Sequence, residues 1–99
     1  MAREKLDDEE IAGRIHAMDG WSVRNGKLHR ELKFATFKDA LAFMNAVGEQ
    51  ADELDHHPDW CNSYNRVVID LMTHDAGGIT ERDFQLASVI DRAAALGVR

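Results

Sequence analysis

The chain has 99 residues, 44% of them apolar and 30% charged, and a net charge of −6 from 18 acidic and 12 basic residues. That length predicts a single domain, residues 1–99, with a core small enough to gain from association. An acidic chain without clustered Lys and Arg excludes direct binding to nucleic acid, and no apolar run approaches the ~20 residues of a membrane span.

In chain order, Leu6-Asp7-Asp8-Glu9-Glu10-Ile11 predicts a helix start. Asp7 caps it, Glu10 closes a capping box and Leu6 staples onto Ile11. Ile11, Ile15 and Met18 share one stripe, and Asp19-Gly20 is the expected stop. Trp21 to Phe34 reads as a hairpin, because Asn25-Gly26 suits a type I′ turn in which both central residues have positive φ. That turn pairs Val23 with Leu28 and sets His29 on the face opposite Leu28, Leu32 and Phe34, where it is expected at the surface. Thr36-Phe37-Lys38-Asp39 opens a second helix with another capping box. Its main stripe is Phe37, Leu41, Met44, Val47, Ala51 and Leu54. Phe43 lies about 100° from Met44, so this helix carries either a wide core face or two buried sides, one on its own sheet and one, with Phe43, on a second subunit.

Pro58 stops the helical pattern and biases His57 towards an extended backbone. Trp60 to Tyr64 is a short strand. Val67 to Thr73 is a clearer one, with Val67, Ile69 and Leu71 alternating with Val68, Asp70 and Met72. His74 stands at its end, and Asp75-Ala76-Gly77-Gly78 is a loop. The last helix begins at Thr80 with Asp83 in the capping-box position. It carries Phe84, Ala87, Ile90 and Ala94 on one stripe, flanked by Leu86, Val89 and Ala93, with Gly97 as the expected terminator. The order α-β-β-α-β-β-α predicts an α+β fold: a four-stranded antiparallel sheet with three helices on one face.

The residues that carry chemistry are concentrated at Asp52-Glu53-Leu54-Asp55-His56-His57-Pro58-Asp59-Trp60, followed by Tyr64, His74 and Asp83. Histidine titrates near neutrality, so one ring can give a proton while another takes one. Each of these residues also has a plain structural reading. His-His-Pro is an ordinary helix exit, Thr80-x-x-Asp83 is a cap that needs no function, and Trp60 and Tyr64 suit a core. Cys61, the only cysteine, excludes an intrachain disulfide and suits a reducing cytosol as a small half-buried residue. The opening MAREKLDDEE has no apolar stretch, so no secretory leader is expected.

The run from Ala51 to Asp91 resembles the pterin-4a-carbinolamine dehydratase family, which is marked by an acidic residue ahead of His-His-Pro, a downstream aromatic, a further His and a later Asp. Here those are Asp52, His56, His57, Pro58, Trp60, Tyr64, His74 and Asp83; family members more commonly have Glu where this chain has Asp52. The resemblance implies dehydration of a 4a-hydroxytetrahydropterin, such as 4a-hydroxytetrahydrobiopterin, to the quinonoid dihydropterin and water. It implies a cytoplasmic enzyme of tetrahydrobiopterin recycling, supplied by an aromatic amino-acid hydroxylase. It makes His56, His57 and His74 catalytic and Asp52, Trp60 and Asp83 substrate-binding, with all three histidines on one cleft that has Trp60 or Tyr64 near its wall. No cofactor or metal is implied, and members assemble as homodimers or homotetramers. Replacing His56 or His74 by Ala is expected to cost about 1 kcal/mol of stability or less.

Two other classes remain open. A zinc held by His56, His57 and His74 would be hydrolytic, although adjacent residues in an extended segment point to opposite sides. A non-enzymatic adaptor is the other, since animal relatives also serve as dimerisation cofactors for a transcription factor.

Overall fold

A computed structural model describes residues 4–97. The elements run α1 (Asp8–His16), β1 (Ser22–Arg24), β2 (Lys27–Lys33), α2 (Phe37–Leu54), β3 (Asp59–Ser63), β4 (Arg66–Leu71), a 3-10 turn (His74–Ala76) and α3 (Glu81–Gly97). The strands form one antiparallel sheet in the order β1-β2-β4-β3. This is the expected α+β layout.

Local chemistry accounts for the boundaries. Asp7 caps α1 by accepting from the Glu10 N–H at 2.8 Å, and Thr36 caps α2 by accepting from the Asp39 N–H at 3.1 Å; each hydroxyl or carboxylate satisfies a donor that has no intrahelical partner. α1 stops at His16, short of Gly20, because the Ala17 and Met18 N–H groups close the last turn on Arg14 and Ile15. Gly20 instead serves a close approach. At φ 87°, a Cβ there would stand 3.1 Å from Arg30 Nε, and the Arg30 guanidinium is needed over the Trp21 ring and on Asp91. In the first hairpin Asn25 and Gly26 both have positive φ, at 53° and 76°, and Val23 pairs with Leu28 as the turn demands. The second hairpin turns one residue earlier than expected: Tyr64 lies outside β3, with φ 52°, and is exposed.

The core lies between the sheet and the helices. Leu28, Val67, Ile69 and Leu71 meet Ala40, Phe43, Val47 and Ala51 of α2 and Phe84, Leu86, Ala87, Ile90 and Ala94 of α3. The stripe on α2 is rotated from the expected one. Phe43 is 2% exposed and packs 5.0 Å from the Phe34 ring, whereas Phe37 and Leu41 are 45% and 43% exposed. The surplus of apolar surface is real, but the sheet covers the Phe43 side and leaves the Phe37–Leu41 side bare. Two other placements differ. Cys61 is exposed on β3. His29 is 8% exposed rather than at the surface, because Asp70 and Glu31 close around its ring.

Candidate active site

Three chain segments meet at one end of the sheet. The first is the exit of α2. Asp55 takes the left-handed conformation (φ 53°, ψ 41°) and its N–H bonds back to Ala51 and Asp52, as does the His56 N–H to the Ala51 carbonyl. This reversal swings His56 and His57 off the helix axis, and Pro58 prevents the helix from resuming. The second segment is the end of β4. Thr73 bridges to Gly78, which folds His74–Ala76 into a 3-10 turn, and Gly77 closes that turn at φ 73°. The third is the start of α3, from which Arg82 Nη2 donates to the Leu54 and Asp55 carbonyls at 2.9 and 2.7 Å. A cation thus sits on the negative end of the α2 dipole.

Between them lies a cleft of about 410 Å³, lined by Asp55, His56, His57, Pro58, Asp59, Asp70, Met72, Thr73, His74, Asp75 and Arg82. Its size suits a small heterocycle. A roomier groove of about 610 Å³ between α1 and the first hairpin is mainly apolar and includes exposed His16 but none of the His56, His57 and His74 set.

The most ordered part of the cleft is a buried network behind it. Asp83 is 0% exposed. Its Oδ2 accepts from the Thr80 N–H at 2.8 Å and from the Thr73 hydroxyl at 3.0 Å, and its Oδ1 is 2.6 Å from His56 Nε2. Thr73 Oγ1 is 2.6 Å from Thr80 Oγ1. Since Thr73 gives its proton to Asp83, Thr80 must give its proton to Thr73. Each donor then has an acceptor, and Asp83 acts as an acceptor throughout. A carboxylate with three donors holds the His56 proton on Nε2 and leaves Nδ1 as the basic nitrogen of the neutral ring.

The other two histidines are wetter. His57 Nε2 lies 3.2 Å from Asp52 Oδ1, with both side chains exposed. The ring of His74 is exposed and makes no hydrogen bond among the described residues. The structure therefore brings His56, His57 and His74 to one cleft. It sets Asp52 beside His57, outside the lining. Asp83 is fully buried behind His56, outside the lining as well, because its three donors draw it into the core. Trp60 is half-buried against Phe43, with ring centroids 6.5 Å apart, and neither Trp60 nor Tyr64 lines the cleft. Among the described residues no group of three or more His, Cys, Asp or Glu side chains is placed to share a metal ion.

A sequence profile of the family described as pterin 4 alpha carbinolamine dehydratase matches residues 4–93. This chain belongs to that family. A relative from Solibacter usitatus, provisionally named a pterin-4-alpha-carbinolamine dehydratase, is 53% identical over 92% of this chain and 96% of its own length. One from Sulfolobus acidocaldarius with the same provisional name is 48% identical over 89% and 97%. The crystal structure of a transcriptional coactivator/pterin dehydratase from Brucella melitensis superposes with a TM-score of 0.88 at 38% identity, covering 92% of this chain and 99% of that one. Among the described residues no helix is long and apolar enough to cross a membrane.

Reading the sequence for motifs misses Arg82, Thr73 and Asp70. Thr73 and Arg82 flank or lie within recognised features, but their partners Asp83 and Leu54 are 10 and 28 residues away. Asp70 had a usable signal: alternation with Val67, Ile69 and Leu71 puts it on the face of Met72, one step from His74.

Proposed function

We propose that this chain dehydrates a pterin 4a-carbinolamine to the quinonoid dihydropterin and water by histidine general acid–base catalysis, in the recycling of tetrahydrobiopterin. The observation that carries this reading is the Asp83–His56 pair at the edge of a cleft that also holds His57 and His74. In the substrate a hydroxyl and a ring nitrogen share one carbon. His56 Nδ1 takes the proton from that nitrogen, whose electron pair forms the C=N bond. His74, protonated, gives its proton to the hydroxyl, which leaves as water. One proton enters His56 and one leaves His74, so a proton passed from one ring to the other through solvent resets the site. His57, steadied by Asp52, binds the substrate at the mouth and can relay that proton. Catalysis of this type contributes about 10²–10⁴-fold per group.

The exposed Phe37–Leu41 face of α2 supports a homodimer or homotetramer, with that face rather than Phe43 at the contact. The same face is where an adaptor role would act, a reading favoured only by the coactivator half of the Brucella relative's description. Adding the protein to a freshly generated 4a-hydroxytetrahydropterin should accelerate loss of its ultraviolet absorbance. The acceleration should survive exhaustive chelation and fall by about 10²-fold or more in His74→Ala. An unaccelerated reaction, or chelator-sensitive activity restored by zinc, would overturn the proposal.

A further inference from the structure

The cleft has a wall that the proton transfer does not use. Asp70 projects from β4 on the same face as Met72, and both line the cleft. Its Oδ1 lies 2.8 Å from His29 Nδ1, while its Oδ2 makes no hydrogen bond among the described residues and the side chain is 31% exposed. His29, on β2 directly across the ladder from Asp70, is 8% exposed. Its other nitrogen, Nε2, faces Glu31 Oε2 at 3.3 Å. Both nitrogens can donate only when the ring carries two protons. The Glu31 carboxyl is held below the usual carboxylate range, first by the hydrogen bond from His29 and then by Arg66 and Arg24. On its other side Asp70 pairs with Asp59 of β3. Like charges directly opposed in a sheet are destabilising, and Asp is a poor strand residue. Here each carboxylate has its own partner, the His29 ring for Asp70 and Lys27, at 3.6 Å, for Asp59. A local rule is broken, and the compensation is built on the neighbouring strand.

The result is a strongly acceptor-rich cleft. Asp55, Asp59, Asp70 and Asp75 line it, and its single guanidinium, Arg82, is turned onto the α2 carbonyls. Ring N–H, amino and hydroxyl donors of a neutral pterin match such a wall. A carboxylate or phosphate on the side chain of the pterin does not, because its negative charge would face the Asp70 carboxylate in a partly desolvated cleft.

Resting on the dehydratase reading, we propose that Asp70 is a specificity-determining residue that faces the substrate, that His29 is its positioning residue, and that together they select pterins with an uncharged, hydroxylated side chain against anionic ones. Equilibrium dialysis with biopterin and with pterin-6-carboxylate, read by pterin fluorescence, tests this. The wild type should hold biopterin at least about tenfold more tightly. Asp70→Asn should shrink that ratio to about threefold or less, chiefly by tightening pterin-6-carboxylate. His29→Leu should shrink it in part, and His29→Asn, which keeps a donor near the Nδ1 position, should restore it. An unchanged ratio in Asp70→Asn overturns the inference even if His29→Leu fails to fold, and so does a wild type that prefers the carboxylate. Failure of the dehydratase reading looks different: a wild type that discriminates between the two pterins but does not accelerate dehydration overturns that reading alone. Binding of neither pterin overturns the inference, whatever the dehydration assay shows.

Discussion

Thr36-Phe37-Lys38-Asp39 and Thr80-Glu81-Arg82-Asp83 spell the same helix start, each at the entry to the helix that follows a hairpin. At α2 the threonine accepts from the Asp39 N–H at the exposed surface, and nothing further is built on it. At α3 the aspartate turns back to the Thr80 N–H and, with its remaining lone pairs, gathers Thr73 and His56. The difference comes from surroundings. The first start faces solvent, while the second is wedged between the end of β4 and the exit of α2. A cap is a local solution to unpaired backbone donors; buried beside a histidine, the same solution becomes part of the network that holds His56 at the cleft.

The largest expected effect separates these two starts. Asp83→Ala should cost about 3–5 kcal/mol, because it strands buried donors and the His56 ring, whereas Asp39→Ala should stay below about 1 kcal/mol; chemical denaturation of both variants measures the gap. Asp83→Asn sharpens the point. An amide can donate to His56 Nε2 and so reverse the tautomer, which should lower turnover by about 10²–10⁴-fold with a smaller loss of stability. Full turnover in Asp83→Asn would reduce the second start to a cap like the first.

Next come the histidines. His56→Ala and His74→Ala should both lose turnover, but only His56→Ala should also lose stability, by about 3 kcal/mol rather than the ~1 kcal/mol or less expected from the sequence, since the ring is buried and the buried Asp83 carboxylate loses one of its three donors. Equal melting temperatures for the two variants would contradict the buried network. At the α2 start the exposed residue is Phe37. Phe37→Ser should leave folding of the chain intact and shift its mass in light scattering towards the monomer, whereas Phe43→Ser should destabilise the core by about 3 kcal/mol or more.

The smallest effect lies in the first turn of α3. Arg14 donates to Glu81 at 2.9 Å, and that bond, against a smaller opposing effect of partial burial, holds the Glu81 carboxyl below its usual range. A carboxyl whose folded value is depressed contributes stability above its unfolded range and loses it as pH falls through the folded value. Glu81→Gln should therefore be less stable at neutral pH by a few tenths of a kcal/mol, about the size of an exposed pair. It should equal the wild type once the acid is protonated in both states, as paired thermal melts across acidic pH would record.

Much of this could be read from the chain. Asn25-Gly26, the Asp7 and Thr36 caps and the alternation of Val67, Ile69 and Leu71 are local signals with one physical solution, and all three helices, both hairpins and the first turn follow from them. The stripe of α2 did not follow, because periodicity reports how wide an apolar face is and not which part the sheet will meet; Phe43 and Phe37 exchanged roles for that reason. In the site, the motif residues His56, His57 and His74 were legible as a set. Their supports were not, since Arg82 to Leu54 and His29 to Asp70 span 28 and 41 positions. Asp83 was legible as a cap, and its bond to His56 was not.

Helix ends ordinarily fray on their own, exchanging amide hydrogens long before the rest of the fold. Here the last carbonyls of α2 are gripped from the first turn of α3, next to the residue that holds His56. Unwinding the end of α2 thus requires releasing the start of α3. The His56 amide, bonded to Ala51, and the Asp83 amide, bonded to Thr80, belong to one cooperative unit, and their protection factors should fall together in native-state exchange under mild denaturant. The His56 ring is then either presented in full or withdrawn in full, with no frayed intermediate in which it hangs loose from the helix.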